Sequence, residues 1–159
     1  MPRQQKGFSL IELLIVVAII LIIASIAIPG LMSARRSANE ASAANTIRTI
    51  NGAQISYNSA YPTAGFASTL AALGGMSRTP PSPASACLID SQVASGTKNG
   101  YSFTLAGLTG SPTATYQIIG SPTVPNQTGV RSYCSFADSV VRAQIGAIAT
   151  CDNGVPPLQ

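Results

Sequence analysis

The sequence predicts an α+β fold in which one long N-terminal helix packs on a small antiparallel β-sheet of about four strands. Hydrophobic residues make up 46% of the 159-residue chain and are densest near its N-terminus. After residue 100 the pattern changes to short β-prone segments between turns that contain glycine or proline. A chain of this length has room for one modest domain.

The helix is predicted from the apolar block near the N-terminus. Residues 13–32 carry no charge, and at ~1.5 Å per residue a helix of that length covers roughly the ~30 Å of a bilayer core. We therefore expect a membrane-spanning part over about residues 8–32, within a helix that covers residues 8–57. The stripe of this helix that would meet the folded part of the chain after it includes Ile47, Ile50 and Tyr57.

The rest of the chain divides into three predicted segments. Residues 58–100 form a connecting loop with short helices at about residues 68–73 and 85–94. Residues 101–145 hold the sheet, and residues 146–159 form a C-terminal loop and tail. The predicted strands are residues 101–106, 115–119, 130–136 and 140–145.

The composition argues against catalysis. The chain has no histidine and five acidic residues in total, so the usual side chains for acid–base or metal chemistry are scarce. We predict no enzymatic activity, no cofactor and no metal. The net charge of +4 includes Arg3 and Lys6, and the excess that remains without them is too small to indicate a nucleic-acid partner. The charged residues after the apolar block are interpreted as a solvated face: Arg35, Arg36, Glu40 and Arg48.

Glu12 lies at the start of the apolar block. Residues 13–28 contain twelve Leu, Ile or Val residues, each worth about −0.3 to −0.6 kcal/mol for insertion, whereas one mid-membrane carboxylate costs about 2.5–3.5 kcal/mol. Insertion is therefore favourable despite Glu12. An uncleaved anchor and a secretory signal peptide, with a poor cleavage site at residues 25–27, are the simpler alternatives. Neither alternative gives a role to Glu12. A charged residue in an apolar helix indicates a functional site.

The segment KGFSLIELLIVV, residues 6–17, resembles the class III signal of type IV prepilins and the related type II secretion pseudopilins. The resemblance rests on a short basic leader, a glycine, a phenylalanine and a glutamate at the fifth position after the glycine. It covers roughly residues 1–32 closely, and the sheet region only in general layout.

The resemblance implies a processing step and a site of assembly. A membrane prepilin peptidase would cut between Gly7 and Phe8, remove residues 1–7 and N-methylate Phe8. Glu12 would neutralise the terminal amine of an adjacent subunit. On one helix, Phe8 and Glu12 would also be i and i+4 neighbours. A buried ion pair between subunits can set register even where it adds little stability.

The implied partners and locations follow from the same family. The chain would be stored as a single-pass inner-membrane precursor and would polymerise into a helical homo-oligomeric filament with the help of inner-membrane assembly machinery. The product would be a cell-surface type IV pilus or, as the alternative, the periplasmic pseudopilus of a type II secretion or competence system. A secreted or membrane-anchored binding module is a hypothesis of another class.

Pro29-Gly30 interrupts the helical pattern, because proline removes a backbone donor and glycine weakens a helix. One interpretation is a simple kink at the membrane exit. The resemblance implies instead a segment that bends or locally melts when the helix packs in a filament.

Three cysteines follow the apolar block, which is typical of a domain in an oxidising compartment. A disulfide between Cys134 and Cys151 would close a loop around the last strand and contribute about 3 kcal/mol. Many pilins have a C-terminal disulfide of this kind. Cys87 would then be free, or would replace either residue as a partner.

Overall fold

A computed structural model describes residues 8–75 and 80–158 and shows an α+β fold. The chain divides into two compact units, Met1–Arg35 and Arg36–Gln159. The helix α1, Leu10–Ala60, contributes residues to both units. We call the second unit the head. Gly7 and the rest of the predicted leader lie outside the described residues.

The first unit consists, in its described part, of an apolar stretch of α1 and the two residues before it. Every large apolar side chain from Phe8 to Met32 is exposed, and α1 is long and apolar enough to cross a membrane. The helix is continuous through Pro29 and Gly30. Exposed apolar surface of this extent requires lipid or protein around it in water.

The head contains a five-stranded antiparallel meander with strand order β1-β2-β3-β4-β5. The strands are β1 (Thr97–Lys98), β2 (Tyr101–Thr109), β3 (Thr115–Pro122), β4 (Arg131–Phe136) and β5 (Arg142–Ile145). The predicted α+β class is confirmed, with one strand more than predicted. The extra strand, β1, has two residues and pairs with the start of β2 across Asn99-Gly100. Two residues are too few to show an alternating pattern.

The connecting loop contains the helices α2 (Leu70–Leu73) and α3 (Ser91–Ala94). The predicted helix over residues 85–94 is wrong in its first half. There the N–H groups of Ala86 and Leu88 donate to the carbonyls of Ala72 and Leu73, at 2.8 and 2.7 Å. These bonds replace helical ones, and α3 begins only after Asp90, whose side chain accepts the Val93 N–H as an N-cap.

The main core lies between α1 and one face of the sheet. Ile47 and Ile50 are fully buried and Tyr57 is nearly so, which confirms their predicted stripe. The aromatic residues that line the sheet side of this core are Tyr101, Phe103, Tyr116 and Tyr133. Alternate residues of each strand supply this face, as the period of two requires.

The opposite face of the sheet carries a smaller core. Ile148, Cys151 and Val155 of the C-terminal segment pack with Cys134 of β4. Ile119 and Phe136 lie partly buried at its margin. Because β4 is covered on both faces, four of its six residues are buried.

Candidate assembly segment and the polar contacts of α1

The start of α1 places Phe8 and Glu12 differently from the sequence-based expectation. The Ser9 carbonyl accepts the N–H groups of Glu12 and Leu13, at 3.1 and 3.3 Å, and α1 begins at Leu10. Ser9 thus occupies the N-cap position. Phe8 precedes the helix, so Phe8 and Glu12 are not i and i+4 neighbours on one helix.

Glu12 lies in the first turn of α1, where the unpaired N–H groups and the helix dipole favour a negative charge. Its neighbours on both sides in sequence, Ile11 and Leu13, are exposed apolar residues. The arrangement combines one carboxylate near a chain terminus with a long apolar surface. Chemically it suits pairing with a cation within an apolar environment.

In the head, polar residues of α1 bond to several separate parts of the chain. Gln54 is fully buried and bonds twice to Ala67, donating to its carbonyl at 3.0 Å and accepting its N–H at 2.8 Å. Asn51 donates to the Ser135 hydroxyl at 2.8 Å and accepts from the Tyr116 hydroxyl at 3.2 Å. The Glu40 carboxylate accepts the Val130 N–H, and the Tyr57 hydroxyl donates to the Pro83 carbonyl. These bonds order the loops around the helix.

The contacts of Glu40 show that the interpretation of Arg35, Arg36, Glu40 and Arg48 as a solvated face is wrong for Glu40. One of its carboxylate oxygens accepts the N–H groups of Val130 and Arg131, at 2.8 and 3.2 Å. The other accepts the Tyr133 hydroxyl at 3.4 Å. The position of Glu40 in the sequence could have indicated these contacts. It lies three and four residues before Ala43 and Ala44, and therefore on the buried side of α1.

Two tyrosines near Glu40 have altered acidity. Burial, with a smaller contribution from the Glu40 charge, raises the pKa of Tyr133 to about 12. The same two causes, in the same order, raise the pKa of Tyr101 further. The Tyr101 hydroxyl donates to the Arg131 carbonyl at 2.8 Å, and both tyrosines therefore act as neutral donors at physiological pH.

The structure contains a disulfide between Cys134 and Cys151, whose Cα atoms lie 5.8 Å apart and which are 17 residues apart in sequence. The Gln117 side chain accepts the Cys151 N–H at 3.2 Å and ties the disulfide loop to β3. Cys87 is half-buried between α2 and α3 and has a positive φ of 56°.

Arg142 links β5 to the C-terminal loop. It is buried, bonds to both carboxylate oxygens of Asp138 and to the Asn153 side chain at 3.1 Å, and stacks 4.3 Å from the centre of the Phe136 ring. Burial acts to raise the pKa of Asp138, but hydrogen bonds from Arg142 and Val140 outweigh it and lower that pKa. Among the described residues, no three His, Cys, Asp or Glu side chains are grouped to hold a metal ion.

Comparison with known proteins gives one family match at the N-terminus and two relatives that match part of the chain. The family described as "Prokaryotic N-terminal methylation motif" matches residues 2–28. The type IV wide pilus major component PilA4 of Thermus thermophilus is 60% identical over 38 residues, which are 24% of this chain and 29% of that protein. Type II secretion system core protein G of Dickeya chrysanthemi is 35% identical over 86 residues, which are 52% of this chain and 55% of that protein.

The matched regions thus span about a third and about half of the lengths of these two relatives. No solved structure matches the chain.

The fold and the N-terminal segment are those of a small α+β protein that carries an N-terminal methylation motif on a long apolar helix. These features and the two relatives make the chain similar to type IV pilins and type II secretion pseudopilins.

Proposed function

We propose that this chain is a structural subunit of a type IV pilus, stored in the inner membrane and polymerised through α1 into a helical filament. The observation that carries the proposal is the exposed apolar surface from Phe8 to Met32, with Glu12 as its only charged side chain. A bilayer covers this surface before assembly, and neighbouring helices cover it afterwards. Its role is architectural, and the head supplies the outer surface.

Processing after Gly7 and N-methylation of Phe8 are part of the proposal. The match to the N-terminal methylation motif over residues 2–28 supports them. Gly7 suits a protease cleft because an extended glycine brings no side chain. The partner in this step is a membrane prepilin peptidase and N-methyltransferase. Cleavage would also leave only two residues before Leu10, so that the new terminal amine lies near the first turn of α1.

In the proposed filament, Glu12 pairs with the terminal amine of a neighbouring subunit. A carboxylate buried among helices is costly unless a cation accompanies it. A subunit displaced along the filament axis would leave Glu12 unpaired, so the pair selects one axial register. After cleavage, a terminus at Phe8 just before the helix would carry its amine outside the helix, where it can reach another chain.

Pro29 and Gly30 form the proposed site of bending or local melting during assembly. In the structure the helix is unbroken there, but proline lacks the N–H group that a continuous helix uses. A helical segment that already lacks one backbone hydrogen bond loses fewer such bonds when it unwinds. Before assembly the segment is helical, and it opens where subunits pack.

A pseudopilin of a type II secretion or competence system is the second candidate. It is supported by the 86-residue match to type II secretion system core protein G, which extends beyond the N-terminal segment. The same helix, leader and charge would serve a shorter periplasmic fibre, so the two candidates differ in the fate of the filament.

Deletion of the gene, with complementation, separates the two candidates. We expect the deletion strain to lose long surface fibres that react with an antibody against the head, and to secrete exoproteins normally. Loss of secretion with no change in surface fibres would contradict the pilus proposal and favour the pseudopilus. The complemented strain provides the matched control.

A further inference from the structure

The last four described residues of the chain lie along the outer edge of β5. The Leu158 N–H donates to the Val141 carbonyl at 2.9 Å, and the Ala143 N–H donates to the Pro156 carbonyl at 3.1 Å. Arg142 and Pro157 form an antiparallel bridge between them. The tail thus occupies the outward-facing N–H of Ala143 in β5 and the carbonyl of Val141 just before the strand.

Without this tail, β5 would be an open edge. A strand edge with free N–H and C=O groups is a template for pairing with another chain, and proteins commonly block it with charged side chains. In β5 the one charged residue, Arg142, is buried against Asp138 and cannot act in this way. Ile145 is 72% exposed and would favour association.

Several contacts hold the tail in place. Val155 is buried in the smaller core beside Cys151, which the disulfide attaches to β4. The Asn153 side chain accepts from Arg142, and the Asp152 side chain accepts the Gly154 N–H at 2.8 Å. At the other end of the sheet, β1 is two residues long and carries the ion pair of Lys98 with Asp90. Short charged strands are another way to block an edge.

We propose that residues 155–158, which we call the strap, cover the edge of β5 and prevent a second copy of this chain from pairing there. Heads that paired edge to edge would hold subunits in an arrangement that α1 does not set. The strap prevents this pairing, so that subunits associate through α1. This inference concerns the head alone and does not depend on which filament the chain forms.

The test compares three proteins that all retain α1, in the same detergent: the intact chain, a chain that ends after Gly154, and that truncated chain with Ala143→Pro. Light scattering with size-exclusion chromatography gives the number of chains per particle, and circular dichroism reports folding. We expect the truncated chain to form particles at least twice as large, increasingly so with concentration. The added proline should return them to the size of the intact chain.

The proline has this effect because it removes the outward-facing N–H at position 143 of β5. Edge strands tolerate proline, so the strand itself should persist. A truncated chain that is folded but no larger than the intact chain would overturn the proposal. So would association that persists with Ala143→Pro, since it would then proceed through another surface.

Should truncation unfold the head, Leu158→Pro in the otherwise complete chain removes the donor to Val141, with Leu158→Ala as the control for loss of the leucine side chain. Leu158→Pro should raise hydrogen exchange at the Ala143 amide at least tenfold. Unchanged exchange there would count against the strap.

Discussion

The Glu40 carboxylate on α1 accepts the backbone N–H of Val130 at 2.8 Å, across ninety positions of the chain. The bond joins the helix to the loop that precedes β4. A carboxylate that accepts backbone donors in a partly buried place stabilises them more than a neutral acceptor does. Glu40 is thus a structural residue of the head rather than a surface charge.

Replacement of Glu40 with alanine should lower the free energy of unfolding by about 1–2 kcal/mol, because the donors of Val130 and Arg131 lose their acceptor. Glu40→Gln keeps an acceptor and should lose less. Denaturant unfolding of the detergent-solubilised chain, followed by tyrosine fluorescence, measures both. Equal stability of Glu40→Ala and the unmodified chain would show that solvent replaces the carboxylate fully.

Two glycines make a matched pair for a test of packing. A Cβ added at Gly129 would collide with the Tyr101 hydroxyl and lie 2.7 Å from the adjacent ring carbon, whereas one added at Gly52 on α1 meets nothing within 4 Å. Gly129→Ala should therefore destabilise the head by about 1–3 kcal/mol. Gly52→Ala should stabilise it by up to about 1 kcal/mol through helix propensity. Thermal unfolding distinguishes the two, and a Gly129→Ala protein as stable as the parent would contradict the close approach.

The head should lose stability at alkaline pH between the unfolded and folded pKa values of its buried tyrosines. The pKa of Tyr133 rises from 10.0 to about 12, and that of Tyr101 rises as well. Since the neutral forms are favoured in the folded state, their contribution is complete below pH 10 and is lost as the pH rises through 12. Unfolding free energies measured across this range check the prediction.

Tyr133→Phe provides the control for the alkaline experiment, because it removes one of the titrating groups. Its stability should fall less steeply between pH 10 and 12 than that of the unmodified chain. Tyrosinate absorbance that the unmodified chain shows and Tyr133→Phe lacks, well below the unfolding transition, would contradict the burial of the Tyr133 hydroxyl.

Replacement of Glu12 with alanine should leave membrane insertion intact and impair filament assembly. Insertion depends on the apolar residues of α1, and removal of a carboxylate makes it more favourable. Assembly depends, in the proposed mechanism, on the charge that pairs with a neighbouring amine. Alkaline extraction of membranes measures insertion, and electron microscopy of sheared fibres measures assembly.

Glu12→Gln distinguishes charge from shape in that experiment. The amide has nearly the same size but cannot neutralise an amine, so it should fail as Glu12→Ala does. Normal fibres from the alanine variant would contradict the register mechanism, and normal fibres from the glutamine variant would show that hydrogen bonding suffices.

The long helix and the sheet were predictable because their patterns extend over many residues. Ile47 and Ile50 follow the helical period, and β2 to β5 are β-prone segments bounded by turns. β1 was not predicted because two residues have no detectable period. The first half of the helix predicted at residues 85–94 was wrong because backbone hydrogen bonds to α2 replace the helical ones. Local pattern carries no information on such partners.

The polar contacts of the head were harder to predict from sequence. Glu40 resembles other surface charges until the strand that it bonds is known, since its partners lie about ninety residues away. The strap was similarly hidden, because the edge position of β5 is a property of the whole sheet. In contrast, the N-terminal motif is local, and the family match over residues 2–28 falls on the same segment.

Intact-mass analysis of fibres sheared from cells tests the central proposal most directly. The proposed function requires subunits that begin at Phe8, carry one methyl group on the new amine and contain the Cys134–Cys151 disulfide. Such a mass would support cleavage, modification and assembly together. Fibres whose subunits still carry residues 1–7 would contradict the proposal.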